Sequence, residues 1–294
     1  MKTSRSVLLP LRDRTHHLRC WGADNAPLLV MLHGWGDVAA TWQFVVDEFA
    51  HEWRIVAPDL RGFGQTHGNN DTYWFGEYVA DLDALLEYLS PEAPVKLVGH
   101  SLGGNLVSLY AGVRPERVTR LVNLEGTGLL PHPPEMAPAR MAKWLSVLRE
   151  KDQGKLPWFR SYATHAEFAA RLKNDNPRLT DERAEFMAVN LGQVKADGTI
   201  TLAADVHHRW DSPNLYRVEE YMATWKNITA PTMMITGAHS FMFTRFFGKD
   251  APEYRRRIEC FRDIKEVMLE DSGHNMHHDE PEVVARLIEE FMLS

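Results

Sequence analysis

The stretch Val95-Lys96-Leu97-Val98-Gly99-His100-Ser101-Leu102-Gly103-Gly104 constrains this chain more than any other. An apolar run ends at Ser101, and a helix-forming run from Leu102 to Val113 begins at once. A strand that becomes a helix in so few residues forces the central residue into a strained backbone conformation. Glycines at 99 and 103 remove the Cβ atoms that would clash there. The Ser101 hydroxyl is then held up on a sharp elbow. Behind it, the unpaired N–H groups and positive dipole end of the helix favour developing negative charge. Such an elbow is a site for a nucleophile. A glycine-rich strand–helix turn without chemistry is the plainer alternative.

The rest of the chain alternates between strand and helix patterns on either side of the elbow. Val7 to Asp13 and Thr15 to Trp21 read as an opening hairpin closed around Arg14. Leu28 to Leu32 is a continuous apolar run, as expected of a strand buried on both faces, and leads into His33-Gly34-Trp35-Gly36-Asp37. Helical spacing follows over 38–51, a strand over Trp53 to Ala57, and an amphipathic helix over Phe75 to Leu89. Val118 to Leu124 is a sixth strand, ending at Glu125-Gly126.

Residues 127–225 break this rhythm. They open with Pro131, Pro133, Pro134 and Pro138, and continue with helical stretches over 139–151, 165–174, 181–191 and 216–225. A small hairpin around Asp197-Gly198 is the one strand signal among them. Alternation then resumes with strands over Thr232 to Gly237 and Lys265 to Leu269 and helices over 251–261 and 280–293. The expected fold is α/β, an eight-stranded and mostly parallel sheet covered by helices on both faces. The core domain is expected over 1–126 and 226–294, with 127–225 inserted as a helical lid.

A serine hydroxyl needs a base, and the base needs an orienting acid. The base expected here is His274, in the loop after the last strand and directly after Gly273. Functional loops gather at the carboxyl ends of the strands in an open parallel sheet, which places His274 at the same edge as Ser101. His33 and His100 belong to the neighbouring loops themselves.

His33-Gly34-Trp35-Gly36, the Gly99-to-Gly104 elbow and Asp271-Ser272-Gly273-His274 occur in the order and at the spacing of an α/β-hydrolase. The resemblance spans nearly the whole chain. It implies a Ser–acid–His triad and a lid inserted after the sixth strand. Many members carry the acid in a Gly-x-x-Asp turn after the seventh strand. Here that turn reads Gly237-Ala238-His239-Ser240, and the next carboxylate, Asp250, lies well downstream. Other members, haloalkane dehalogenases among them, place the acid at the end of the sixth strand, where this chain has Glu125. A glutamate ending a buried strand is costly unless paired, and a histidine Nδ1–H would pair it. A glutamate salt-bridged beneath the lid is the alternative. The sixth-strand acid and the stretch Tyr216-Arg217-Val218-Glu219-Glu220 also resemble the serine hydrolase-like subgroup.

An oxyanion hole needs two backbone donors. The N–H groups of Leu102 and Trp35 are the expected pair, although Trp35 would serve equally as a packing aromatic. Haloalkane dehalogenases and epoxide hydrolases of this fold use an aspartate on the elbow, whereas a serine favours attack on an acyl carbon. The expected activity is hydrolysis of a carboxylic ester, thioester or lactone through an acyl-enzyme. Alternatives on the same triad are a carbon–carbon bond hydrolase and a cofactor-free haloperoxidase. A non-catalytic ligand receptor with the hydrolase fold is the alternative of another class. Trp144, Trp158, Phe159, Phe241 and Phe243 are the expected pocket aromatics, and they lean toward a partly apolar small-molecule acyl substrate.

Other chemistries find less support. A net charge of -7 without a basic run argues against nucleic acid. No apolar run is long enough to span a membrane, and no secretory leader is expected near Met1. Two distant cysteines, Cys20 and Cys260, suggest a reducing, cytoplasmic setting. The pairs His16/His17, His207/His208 and His277/His278 are adjacent rather than spaced i, i+4, and no cysteine cluster joins them, so neither a metal nor a cofactor is expected.

Overall fold

The computed structural model describes the 294-residue chain except residues 69–70, 156–158 and 248–251. Eleven strands appear among the described residues, in chain order: β1 (Ser4–Leu11), β2 (Arg14–Trp21), β3 (Leu28–Leu32), β4 (Arg54–Pro58), β5 (Val95–His100), β6 (Val118–Leu124), β7 (Ser161–Tyr162), β8 (Gly192–Val194), β9 (Ile200–Leu202), β10 (Thr232–Gly237) and β11 (Ile264–Leu269). The α-helices are α1 (Gln43–Glu48), α2 (Phe75–Leu89), α3 (Leu102–Val113), α4 (Ala137–Asp152), α5 (His165–Asp175), α6 (Asp181–Leu191), α7 (Val218–Trp225), α8 (Pro252–Ile258), α9 (Met276–Asp279) and α10 (Pro281–Leu293).

Eight strands form one sheet in the order β1-β2-β4-β3-β5-β6-β10-β11. The β1–β2 and β2–β4 pairs are antiparallel, and the pairs from β4 to β11 are parallel. The α/β fold with a mostly parallel eight-stranded sheet is therefore as the sequence indicates. The hairpin differs in detail: β1 runs to Leu11, so the turn falls on Arg12–Asp13, with Arg12 at φ 54°. Pairing of Leu11 with Arg14 draws Arg14 into the strand.

Strand periodicity explains the two-sided core. Val30 and Leu32 of β3, Leu97 of β5, Leu121 of β6 and Met234 of β10 face one apolar cluster, shared with Leu82, Leu106, Tyr110 and Trp225 from helices. Their neighbours Leu29, Met31, Val98, Val122, Met233 and Ile235 face a second cluster, with Val45, Val284 and Ile288. Side chains alternate along each strand, so every central strand is apolar on both faces.

The chain between β6 and β10 adds a third, smaller cluster built on Phe168, Leu179, Ala184, Met187, Leu191 and Ile200. It also forms a three-stranded sheet, β7-β9-β8. The β8–β9 hairpin is the one signalled by Asp197-Gly198; the two-residue β7 is too short for a periodicity to mark it. Helix α7, the last element of this stretch, packs on α3 and buries Trp225 in the main core.

The sheet order reverses beside β3: the chain runs from β3 to β4 on one side, then crosses to β5 on the other. Such a switch point opens a crevice at the carboxyl edge. The loops after β3, β5, β6, β10 and β11 all leave from that edge, and each carries a residue of the site.

Candidate active site

Ser101 caps α3 with φ 51° and ψ -110°, a conformation that L-residues rarely adopt. The elbow is tight because the surrounding glycines allow it. A Cβ on Gly99 would overlap the carbonyl of Gly103, and a Cβ on Gly103 would overlap the carbonyl of Leu32. Ser101 N–H donates to Leu124 O at 2.7 Å, and Gly103 N–H to His33 O at 3.1 Å, which locks the elbow to β6 and to the loop after β3. Glu125 is also left-handed, at φ 55°. Arg12, Ser101 and Glu125 are the non-glycine residues with positive φ among the described residues, and two of them meet at this site. Backbone strain of this kind persists where surrounding structure over-determines it.

His274 connects the two. Its Nε2 lies 3.0 Å from Ser101 Oγ, and its Nδ1 lies 2.5 Å from Glu125 Oε2. A carboxylate cannot donate, so Nδ1 carries a proton and Nε2 is free to accept one from the serine. The Glu125 side chain is buried, with 1% exposure, and His274 retains 15%. Glu125 is fully engaged: Oε1 accepts from Gly237 N–H at 2.7 Å, and Oε2 also accepts from the Ser240 hydroxyl at 2.6 Å. The serine in the turn after β10 thus supports the carboxylate supplied by β6. Asp250, the other carboxylate weighed, lies outside the described residues.

The loop after β3 is held by His33. Its Nδ1 donates to Gly34 O at 2.7 Å and its Nε2 accepts from Leu60 N–H at 2.9 Å, so both ring nitrogens are satisfied in one neutral tautomer. Gly34 sits against His100 and Ser101, where no side chain would fit. The N–H groups of Trp35 and Leu102 donate to no protein acceptor among the described residues. Both residues line the same cleft as Ser101. That cleft measures about 280 Å³.

Aromatic residues from other parts of the chain form its walls: Tyr73, Trp74 and Phe75 before and within α2, and His208 and Trp210 between β9 and α7. Tyr73 and Phe63 sandwich the His208 ring at centroid distances of 3.7 and 3.9 Å. Burial lowers the His208 pKa to about 4, so the ring is neutral near pH 7. Arg140 brings the one cationic side chain among the lining residues and is tied to Ser212 O at 2.7 Å and to Asp211.

The aromatics expected in the pocket fall in different places. Phe241 lies beside His274, with ring centroids 4.4 Å apart. Phe243 is buried in the core against Tyr254. Trp144 binds the carbonyl of Asp71, and Phe159 lies under Arg209; neither lines the cleft. Trp158 is outside the described residues. Sequence reasoning passed over Tyr73, Trp74, His208 and Trp210. The His207/His208 pair was visible but carries no positional signal, because nothing local tells that a loop beyond β9 returns over the elbow.

No described helix is long and apolar enough to cross a membrane.

Comparison with known proteins places this geometry in context. A family described as the alpha/beta hydrolase fold matches residues 27–281. The chain is 27% identical to a serine hydrolase-like protein of Danio rerio, over 92% of this chain and 83% of that one. It is 32% identical to epoxide hydrolase 4 of Mus musculus, over 95% of this chain and 76% of that one. Among solved structures, a thioesterase domain from the curacin biosynthetic pathway superposes with a TM-score of 0.82 at 26% identity, covering 98% of this chain and 99% of the other.

Proposed function

The chain belongs to the alpha/beta hydrolase fold family, and from that membership we propose that it is a serine hydrolase of carboxylic esters or related acyl bonds, such as thioesters and lactones. The observation that carries this reading is the unbroken chain from Ser101 Oγ through His274 to Glu125, with separations of 3.0 and 2.5 Å. In the proposed reaction, His274 Nε2 takes the serine proton as Oγ attacks the acyl carbon. Glu125 stabilises the imidazolium through Nδ1–H and holds the ring in the required tautomer. The tetrahedral oxyanion accepts hydrogen bonds from the N–H groups of Leu102 and Trp35. Collapse transfers the proton from His274 to the leaving alcohol or thiol and leaves an acyl-enzyme. Water, deprotonated by His274, then attacks the acyl carbon and releases the acid and free Ser101.

A relative named epoxide hydrolase raises epoxide opening as a second reaction. Ser101 argues against it. A carboxylate that opens an epoxide gives an ester, which water then cleaves, whereas a serine would give an ether that this machinery has no means to hydrolyse. The aromatic walls of the cleft and the paired Arg140 support a partly apolar small-molecule substrate with a polar end. Residues 127–225 act as the lid in this reading, because Arg140, His208 and Trp210 overhang Ser101 from that stretch. Cys20 and Cys260 are both free and buried, which supports a reducing, cytoplasmic setting.

Turnover of p-nitrophenyl esters of graded chain length, with styrene oxide and a vinylogous diketone alongside, tests the reading. Ester hydrolysis that is lost in Ser101→Ala supports it. Exclusive turnover of the diketone would replace it with carbon–carbon bond hydrolysis, and turnover of the epoxide alone would contradict it.

A further inference from the structure

Next to His274, whose ring centroid lies 4.9 Å from that of His100, three separate stretches bring together Asp37, His100, His277 and His278, each buried to 7% exposure or less. Asp37 Oδ1 accepts from Val38 N–H and from the Thr41 hydroxyl, both at 2.8 Å, which orients the carboxylate. Its other oxygen, Oδ2, faces the Nε2 atoms of His277 and His278, each 3.4 Å away. Three other buried or half-buried histidines stand closer to a carboxylate, at 2.8 Å for His17–Asp59, 2.6 Å for His207–Asp205 and 2.5 Å for His274–Glu125, whereas buried His16 stands 3.9 Å from Asp81. The 3.4 Å spacing, a long hydrogen bond for His277, also matches that between two ligands of one metal ion. Two donor atoms on a tetrahedral zinc ion, with bonds of about 2.0–2.1 Å, stand about 3.4 Å from each other.

His100 supplies a further donor. Its Nε2 faces the His274 carbonyl at 2.9 Å, and a carbonyl only accepts, so Nε2 carries the proton and Nδ1 is a bare lone pair. That Nδ1 is buried and has no partner among the described residues; the same holds for Nδ1 of His277 and both ring nitrogens of His278 as hydrogen-bonding atoms. The rings of His100 and His277 lie 4.2 Å apart. Asp37, His100 and His277 can each present a ligand atom within 4.8 Å of the others.

We propose that Asp37, His100 and His277 bind one divalent transition-metal ion of the zinc class, with His278 as the fourth donor after a small side-chain shift. The ion is structural, not catalytic. It ties the loop after β3 to the end of β5 and to α9, and the His100 Nε2–H bond passes that order to the backbone of His274. Adjacency of His277 and His278 does not count against the site, because its other donors come from Asp37 and His100, remote in sequence.

Metal content and visible absorption test the proposal. Full-length protein is stripped with chelator, then either incubated with equimolar Co²⁺ or refolded with it, and desalted. The expected result by at least one route is about one ion per chain with the visible bands of four-coordinate Co²⁺, displaced by Zn²⁺, and a raised melting temperature. His274→Ala is expected to bind as the wild type does, which separates this site from the triad. Asp37→Asn and His277→Gln are expected to lose the ion while circular dichroism shows them folded. Less than about a tenth of an equivalent retained by the wild type after both routes would overturn the site, whatever the variants do. Retention in folded His277→Gln with loss in His274→Ala would overturn it equally.

Discussion

The Ser240 hydroxyl donates a 2.6 Å hydrogen bond to Oε2 of Glu125, across 115 residues of sequence. Ser240 occupies the turn where the commonest hydrolase pattern carries its acid. Here the residue left in that turn braces the carboxylate that β6 supplies instead. Gly237 N–H braces the other oxygen at 2.7 Å. The two bonds hold the carboxylate plane against the His274 ring.

Ser240→Ala removes one of these braces and leaves the charge in place. A hydrogen bond to a charged acceptor is worth about 1.5–3 kcal/mol, so kcat/KM on a p-nitrophenyl ester is expected to fall roughly 10- to 100-fold. Glu125→Gln removes the charge itself and can present the wrong donor to Nδ1; a loss of about 10⁴ in kcat is expected with the fold intact. Near-wild-type turnover by Glu125→Gln would return the acid role to another carboxylate.

Gly103→Ala tests the packing that makes the elbow. The added Cβ would meet the Leu32 carbonyl, a backbone atom in a central strand that cannot move aside cheaply. A destabilisation of about 3 kcal/mol or more is expected in urea unfolding. Gly36→Ala is the matched control for space, since a Cβ there meets nothing within 4 Å, although its φ of 74° adds strain.

His208 gives a pH dependence of defined sign. Burial between Phe63 and Tyr73 lowers its folded-state pKa from 6.5 to about 4. Between those values the unfolded chain binds the extra proton and the folded chain does not, so stability rises with pH across this window. The contribution is complete above pH 6.5 and is lost as pH falls toward 4. His208→Phe keeps a stacked ring without the proton, and its urea midpoint is expected to vary less than that of the wild type from pH 6.5 to 4. An unchanged slope would mean that His208 is protonated in the folded protein.

Trp210 lines the cleft beside Ser101. Trp210→Ala is expected to raise KM for long-chain esters by roughly 5- to 150-fold, about 1–3 kcal/mol of lost apolar contact, and to leave KM for the acetate nearly unchanged. Steady-state kinetics on the chain-length series reads this directly. Equal effects on both substrates would place the acyl group elsewhere.

The elbow was legible because its constraint is local: strand, Gly-Ser-Gly and helix adjoin within a few residues, and Ser101 takes the strained backbone that this pattern implies. The alternation of strands and helices made the sheet legible for the same reason. That Glu125 faces His274 was harder to foresee, since a single carboxylate ending a strand says nothing of what faces it; the missing Asp at Ser240 was the clue. The cleft was not legible. Its walls combine Tyr73, from before α2, with His208 and Trp210, from beyond β9, and their meeting depends on Gly62–Asp205 and Gly64–Ala203 backbone bonds that no motif marks. Phe243 shows the converse error: an aromatic near the site in sequence turned inward to Tyr254 because the turn after β10 is helical.

The central claim is that Ser101 is an activated nucleophile. Intact-mass spectrometry after exposure of folded protein to a fluorophosphonate probe tests it most directly, with peptide mapping of the adduct. One adduct per chain, on Ser101, is expected, absent in Ser101→Ala and slowed by orders of magnitude in His274→Ala. Folded wild-type protein that stays unlabelled, or an adduct that persists in Ser101→Ala, would contradict the claim.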